Sequence, residues 1–134
     1  MVNIGPVGLD TTAIVSNQVS LLATYTEKLC NAICVNNKIE PQYSITYITG
    51  TPVLRDTTVF VPISAVITIV TPGECCAAKT QLFTEEFSIA FQGQTAVPAS
   101  VTVASVGKIS NYSNISCCKA RGYTIQDSLT VTIA

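Results

Sequence analysis

The sequence predicts an all-β protein: an antiparallel β-sandwich, jelly-roll-like, with about eight strands and an extended N-terminal arm. Three observations predict it. Apolar and polar residues alternate with a period of two in several stretches, the spacing of a strand with one face turned to a core. Thr, Val and Ile are abundant throughout, as a half-buried pleated surface favours. Turn signals such as Thr71-Pro72-Gly73 and Gln92-Gly93-Gln94 recur every ten to fifteen residues or so, and no stretch reads as a clear helix.

Residues 1–18 read as an arm, either a frayed terminus or a connector that docks on a neighbouring subunit. Gly5-Pro6 and Gly8 interrupt regular structure, yet the segment carries Val2, Ile4, Val7, Leu9, Ile14 and Val15, apolar groups that a solvated tail has no reason to hold. These six side chains are the candidates for docking on a neighbouring subunit, and residues 19–134 form one β-sandwich domain. Helix and strand spacing compete over Val19–Cys34. The alternation of Val19, Leu21, Ala23 and Tyr25 favours a strand over 19–26. Gln42–Ile48 alternates Tyr43, Ile45 and Tyr47 with Ser44 and Thr46.

The longest apolar run lies in Thr57–Thr71. One face holds Val59, Val61, Ile63, Ala65, Ile67 and Ile69 without a polar residue; Phe60, Pro62, Ser64, Val66, Thr68 and Val70 make a mixed second face. Pro62 has no N–H to donate to a ladder and marks an edge or a bulge. Thr80–Phe91 places Phe83, Phe87, Ile89 and Phe91 on one face with Glu85 as the exception, and a strand is expected over Val97–Val106. Asn111–Asn114 reads as a turn-rich patch. The last strand, opened by Arg121-Gly122, turns Tyr123, Ile125, Leu129, Val131 and Ile133 inward. Asp127 alone breaks that face, which points to a bulge or an open sheet end.

Composition narrows the function. Charged residues make up 11% of the chain, less than half the usual ~25%. Net charge is −1, so little electrostatic repulsion opposes association. There is no basic footprint for nucleic acid or for an anionic membrane, and no apolar window near the ~20 residues of a membrane-spanning helix. The chain has no histidine, the commonest general base, and no P-loop, nucleophile elbow or dinucleotide fingerprint. The expectation is a protein without catalytic residues, cofactor or metal, not an enzyme. Glu85-Glu86 is no acid–base pair, because neighbours on a strand face apart; a solvated strand edge is its expected place.

Six cysteines fall as Cys30-x-x-x-Cys34, Cys75-Cys76 and Cys117-Cys118. A zinc site is disfavoured by the lack of a C-x-x-C knuckle and of histidine. Two readings stay open. In one, the cysteines are intramolecular staples between doublets or to Cys30 or Cys34, since adjacent cysteines rarely bond to each other. In the other they cross-link subunits, one sulfur of a doublet pointing inward and one outward. Lys119 and Arg121 beside Cys117-Cys118 either lower the thiol pKa values or are surface charge. The sequons at Asn111 and Asn114 read as part of a polar turn. The first residues, MVNIGPVGLDTTAIVSNQ, lack the basic and apolar regions of a secretory signal. Many cysteines without that signal point to a protein made inside a cell and oxidised later.

A short β-rich chain without tryptophan or histidine, dense in Thr, Val and Ile and carrying cysteine doublets, resembles the spore-surface structural proteins of endospore-forming Firmicutes. These include the endospore-appendage pilin-like subunits and the coat and exosporium proteins. Between Gln42 and Phe91, SITYITGTPVL, FVPISAVITI and FTEEFSIAF resemble small β-domains of clostridial spore proteins. The resemblance implies a jelly-roll subunit that self-assembles into an extracellular fibre or shell through strand edges, arm contacts and disulfides. Its partners would be copies of itself and other spore-surface proteins, and its place the spore surface or the extracellular space. Appendage subunits carry cysteines in their connector, whereas residues 1–29 here hold none. A viral tail or decoration protein and a ligand-binding β-sandwich are the alternatives; the absence of tryptophan, the usual sugar-stacking platform, weighs against a carbohydrate ligand.

Overall fold

Alternation becomes architecture most plainly in the long central strand, whose six-residue apolar face cannot stay in water. In the computed structural model, which describes residues 2–5, 13–14, 16–30, 41–71, 79–114 and 120–134, that face is shut away completely. Nine strands run through the described residues: β1 (Val2–Gly5), β2 (Ala13–Ile14), β3 (Gln18–Cys30), β4 (Gln42–Thr49), β5 (Val53–Arg55), β6 (Thr58–Thr71), β7 (Lys79–Phe91), β8 (Val101–Asn114) and β9 (Ala120–Ile133). There is no helix among them.

The strands form two sheets facing each other across one core, a sandwich-like all-β arrangement. The first sheet has the order β1-β3-β9-β8. The second has the order β2-β7-β6-β4, with β5 also paired to β6. All pairings are antiparallel except the two-residue parallel contact of β2 with β7. The shared core draws Leu21, Ala23 and Tyr25 from β3, Tyr123, Ile125, Leu129, Val131 and Ile133 from β9, and Phe87, Ile89 and Phe91 from β7. Val59, Val61, Ile63, Ala65, Ile67 and Ile69 of β6 complete it. Each fully buried Val or Ile contributes about 1.5–3 kcal/mol as an upper estimate, so the β6 row is a main source of stability.

Pro62 lies where β6 changes partner. Downstream, Ile63 pairs with Thr49 of β4; upstream, Phe60 pairs with Val53 of β5. The missing N–H therefore falls in the gap between two edge strands, and the Pro62 carbonyl accepts from the Gly50 N–H at 2.8 Å. Arg55 pairs with Thr58 across a two-residue turn, where Asp56 takes a positive φ of 56°.

Three expectations need correction. The strand expected over 19–26 runs on to Cys30, because β9 supplies a partner along its whole length. The strand expected over Val97–Val106 begins at Val101. The turn expected at Asn111–Asn114 is instead the end of β8, paired residue by residue with Arg121–Thr124. Pairing with a long neighbour overrides the local turn preference of Asn and Ser. The irregularity expected near Asp127 is a β-bulge in the partner strand: the register shifts between Ser105, opposite Leu129, and Gly107, opposite Ser128.

Candidate functional site

Two parts of the fold hold chemistry or contact potential: a polar belt inside the sandwich and the arm seats on the sheet edges. The belt starts from registry. In the second sheet Tyr47, Ala65 and Glu85 stand side by side on β4, β6 and β7. Ala65 is the one small residue in the β6 core row. In the first sheet, Tyr25 and Glu27 of β3 and Asp127 of β9 turn to the same interior and are buried.

Hydrogen bonds link these groups across the sheets. Tyr25 Oη donates to Tyr47 Oη at 3.1 Å, and Tyr47 Oη donates to Asp127 Oδ2 at 2.7 Å. Ser105, just before the β8 bulge, donates from Oγ to Asp127 Oδ1 at 2.5 Å. Asp127 is fully excluded from solvent, so these donors are what make its burial tolerable. Burial pushes the Tyr25 hydroxyl well above the ordinary phenol value, and the nearby Asp127 and Glu85 add to the rise. Burial, with the hydrogen bonds to Tyr25 and Asp127, does the same to Tyr47. Both phenols therefore stay protonated donors at any physiological pH.

Glu85 has a carboxyl partner, but not its neighbour. Glu86 is exposed, while Glu85 turns inward and hydrogen-bonds Glu27 of the facing sheet. Burial, then the bond to Glu85 and its charge, pushes Glu27 up to about 7. Burial pulls Glu85 upward too, but the hydrogen bond from Glu27 helps to outweigh it and holds Glu85 below the usual carboxylate value. The two acids share a proton up to about neutral pH. Towards the end of the sheets where β3 stops and β9 starts, Tyr123 Oη donates to the Pro41 carbonyl at 3.1 Å, and the Tyr43 and Tyr123 rings meet edge to face at 6.0 Å. The belt joins the sheets; its acids and phenols are committed to one another inside the protein.

The arm is seated on both sheets. β1 pairs with β3, Val2 opposite Tyr25 and Ile4 opposite Ala23, and Ile4 joins the core at 5% exposure. Val2 packs against the core from a half-buried position. Ile14 pairs through its backbone with Phe91 of β7. Val7, Leu9 and Val15 lie outside the described residues, as do Cys34, Cys75, Cys76, Cys117 and Cys118. Cys30 ends β3 opposite Ala120, and only its backbone is described. Sequence reading singled out Asp127 and Glu85 as exceptions on apolar faces but missed Tyr47, Tyr25, Ser105 and Glu27. Ala65, a small residue in a Val/Ile row, is the signal that could have found the belt.

No family model, curated protein or solved structure matches the chain.

Proposed function

We propose that this protein is a structural subunit, with a jelly-roll-like domain, that self-assembles into an extracellular or spore-surface fibre or shell. The observation that carries the reading is how the arm is used. Two short pieces of it already act as added strands, one on each sheet, and both seats are open-ended. Among the described residues, β1 covers only Leu22–Tyr25 of the thirteen-residue β3, and β2 covers only Ala90 and Phe91 of the thirteen-residue β7. Lys79–Ile89 has β6 on one side and, among the described residues, no strand on the other.

Uncovered edges are templates for further strands. On β8, the edge strand of the first sheet, Val106 and Ile109 are 72% and 69% exposed, and Lys108 is the only charge on the strand. A chain with 11% charged residues has little repulsion to oppose such contacts. The belt fits the same role: its described acids and phenols bond to one another and link the two sheets, as suits a structural subunit rather than an enzyme. The subunit's partners are copies of itself. Cysteine bonds would then make the assembly resistant. The test is a pair of denaturing gels of the assembled protein. Multimers that persist without reductant and collapse with it support cross-linked assembly; one monomer band in both lanes rejects the cross-links.

A further inference from the structure

β4 is the straightest open edge of the sandwich. All eight of its residues, Gln42–Thr49, pair with β6 in unbroken register, and among the described residues no strand pairs with its other side. In an antiparallel ladder alternate residues turn both backbone groups to the same neighbour. About four of the eight residues therefore hold an N–H and a C=O outward. Tyr43, Ile45 and Tyr47 carry the apolar row out to this edge, where they pack against the core yet stay half-buried. Ile48, on the outer side, is exposed.

The other edges differ. β8 is bulged between Ser105 and Gly107 and carries Lys108 beside the bulge. The far side of β7 presents the exposed Glu86 and ends beneath β2. β5 has three residues and ends on Arg55; β1 has four and ends on Gly5. A bulge, a charge or a short strand each makes an in-register ladder harder to extend. Gln42–Thr49 has no charge, proline, glycine or bulge, and its Tyr, Ile and Thr suit a strand. The strand that matches this edge in length, straightness and lack of charge is β4 itself, in a second copy. Turned about a two-fold axis, the second β4 runs antiparallel to the first. With Ile45 opposite Ile45, the inner side sets Tyr43 against Tyr47 of the other copy and the outer side sets Ser44 against Thr46. No like charges meet, and each ring gains a cross-strand neighbour.

We infer that β4 is a homodimer contact: two copies join β4 to β4, antiparallel, and so merge their second sheets into one continuous sheet. The contact goes beyond the fibre reading, because it needs neither the arm nor a filament. It closes on itself as a pair, whereas a fibre needs a further, head-to-tail contact.

The test uses the full chain with reductant present, so that no disulfide links the copies. Sedimentation velocity over a dilution series compares the parent, S44K/T46K, S44E/T46E and an equal mixture of the two variants. Ser44 and Thr46 are both exposed, so the substitutions spare the core. The parent should pass from dimer to monomer on dilution. Each variant alone sets like charges across the two-fold axis and should pair roughly tenfold more weakly or worse, and the mixture should pair again. Hydrogen exchange of the parent needs no variant and decides the matter even if a variant fails to fold: the amides of 42–49 should exchange more slowly at the dimer's concentration than at the monomer's. A parent that is monomeric at every concentration, or equal exchange over 42–49 in dimer and monomer, would overturn the inference. The arm is intact in every sample, which separates the two readings. A dimer lost in the variants but never growing into larger assemblies would support the β4 contact and sink the fibre; undiminished association in both variants would do the reverse.

Discussion

Replacing Tyr47 with Phe removes one oxygen from the middle of the interior chain Tyr25–Tyr47–Asp127–Ser105. The ring remains, so packing changes little and the loss is one of hydrogen bonds. Asp127, fully excluded from solvent, loses one of the two donors it has among the described residues, and the hydroxyl of the buried Tyr25 loses its acceptor. A hydrogen bond to an acidic acceptor contributes about 1.5–3 kcal/mol, and a buried donor left unpaired costs about 1–3 kcal/mol. With allowance for local relaxation, Y47F should lower the unfolding free energy by about 2–4 kcal/mol, or roughly 8–16 °C in Tm for a domain of this size. S105A removes one donor from Asp127 and should cost about 1–3 kcal/mol. Y25F removes only the terminal donor and should cost about 0.5–1.5 kcal/mol. Urea unfolding followed by far-UV circular dichroism under reducing conditions measures all three. The ranking is the test: if Y47F lies within about 0.5 kcal/mol of the parent, or costs no more than Y25F, the belt is not what holds the sheets together.

Three further outcomes follow from named contacts. Glu27 is raised above its unfolded value, so its contribution to stability is complete in acid and is lost as pH rises from the ordinary glutamate value towards about 7; E27Q should therefore gain on the parent by about 1–2 kcal/mol between pH 5 and 8, and parallel stability–pH curves would contradict the shared proton. A Cβ at Gly50 would meet Pro62 Cγ at 2.7 Å where the β4–β5 break packs on β6, so G50A should cost about 1–3 kcal/mol in thermal melts, and an unchanged Tm would show that the break relaxes freely. The double substitution V106K/I109K, at two exposed positions on β8, should leave stability within about 0.5 kcal/mol of the parent while reducing light scattering from assemblies severalfold; undiminished scattering would remove the β8 edge from the interface.

Much of the fold was legible because alternation is a local signal. The β6 row from Val59 to Ile69 and the β9 row from Tyr123 to Ile133 are buried as their spacing requires. What was not legible depends on partners far away in the chain. Asp127 stood out as an exception, but its donor Tyr47 is 80 residues distant, and nothing local to Tyr47 marks it as more than one of three alternating aromatic or aliphatic residues. Glu85 was read with Glu86, its neighbour in sequence, whereas the sheets pair it with Glu27 on the opposite layer. The polar run Asn111–Asn114 carries turn residues, and only the long β9 alongside it makes them strand.

In the proposed assembly the arm and the open strand edges join one copy to the next. Its most direct test is electron microscopy of the full chain beside a chain lacking residues 1–18, with circular dichroism to establish that both hold β structure and with peptide 1–18 added back in a third sample. The full chain should give filaments or sheets, the truncated chain dispersed particles, and the arm supplied only in trans no extended assemblies, because a free peptide fills the seats without linking copies. Filaments or sheets from the folded truncated chain, equal in number and form to those of the full chain, would contradict it.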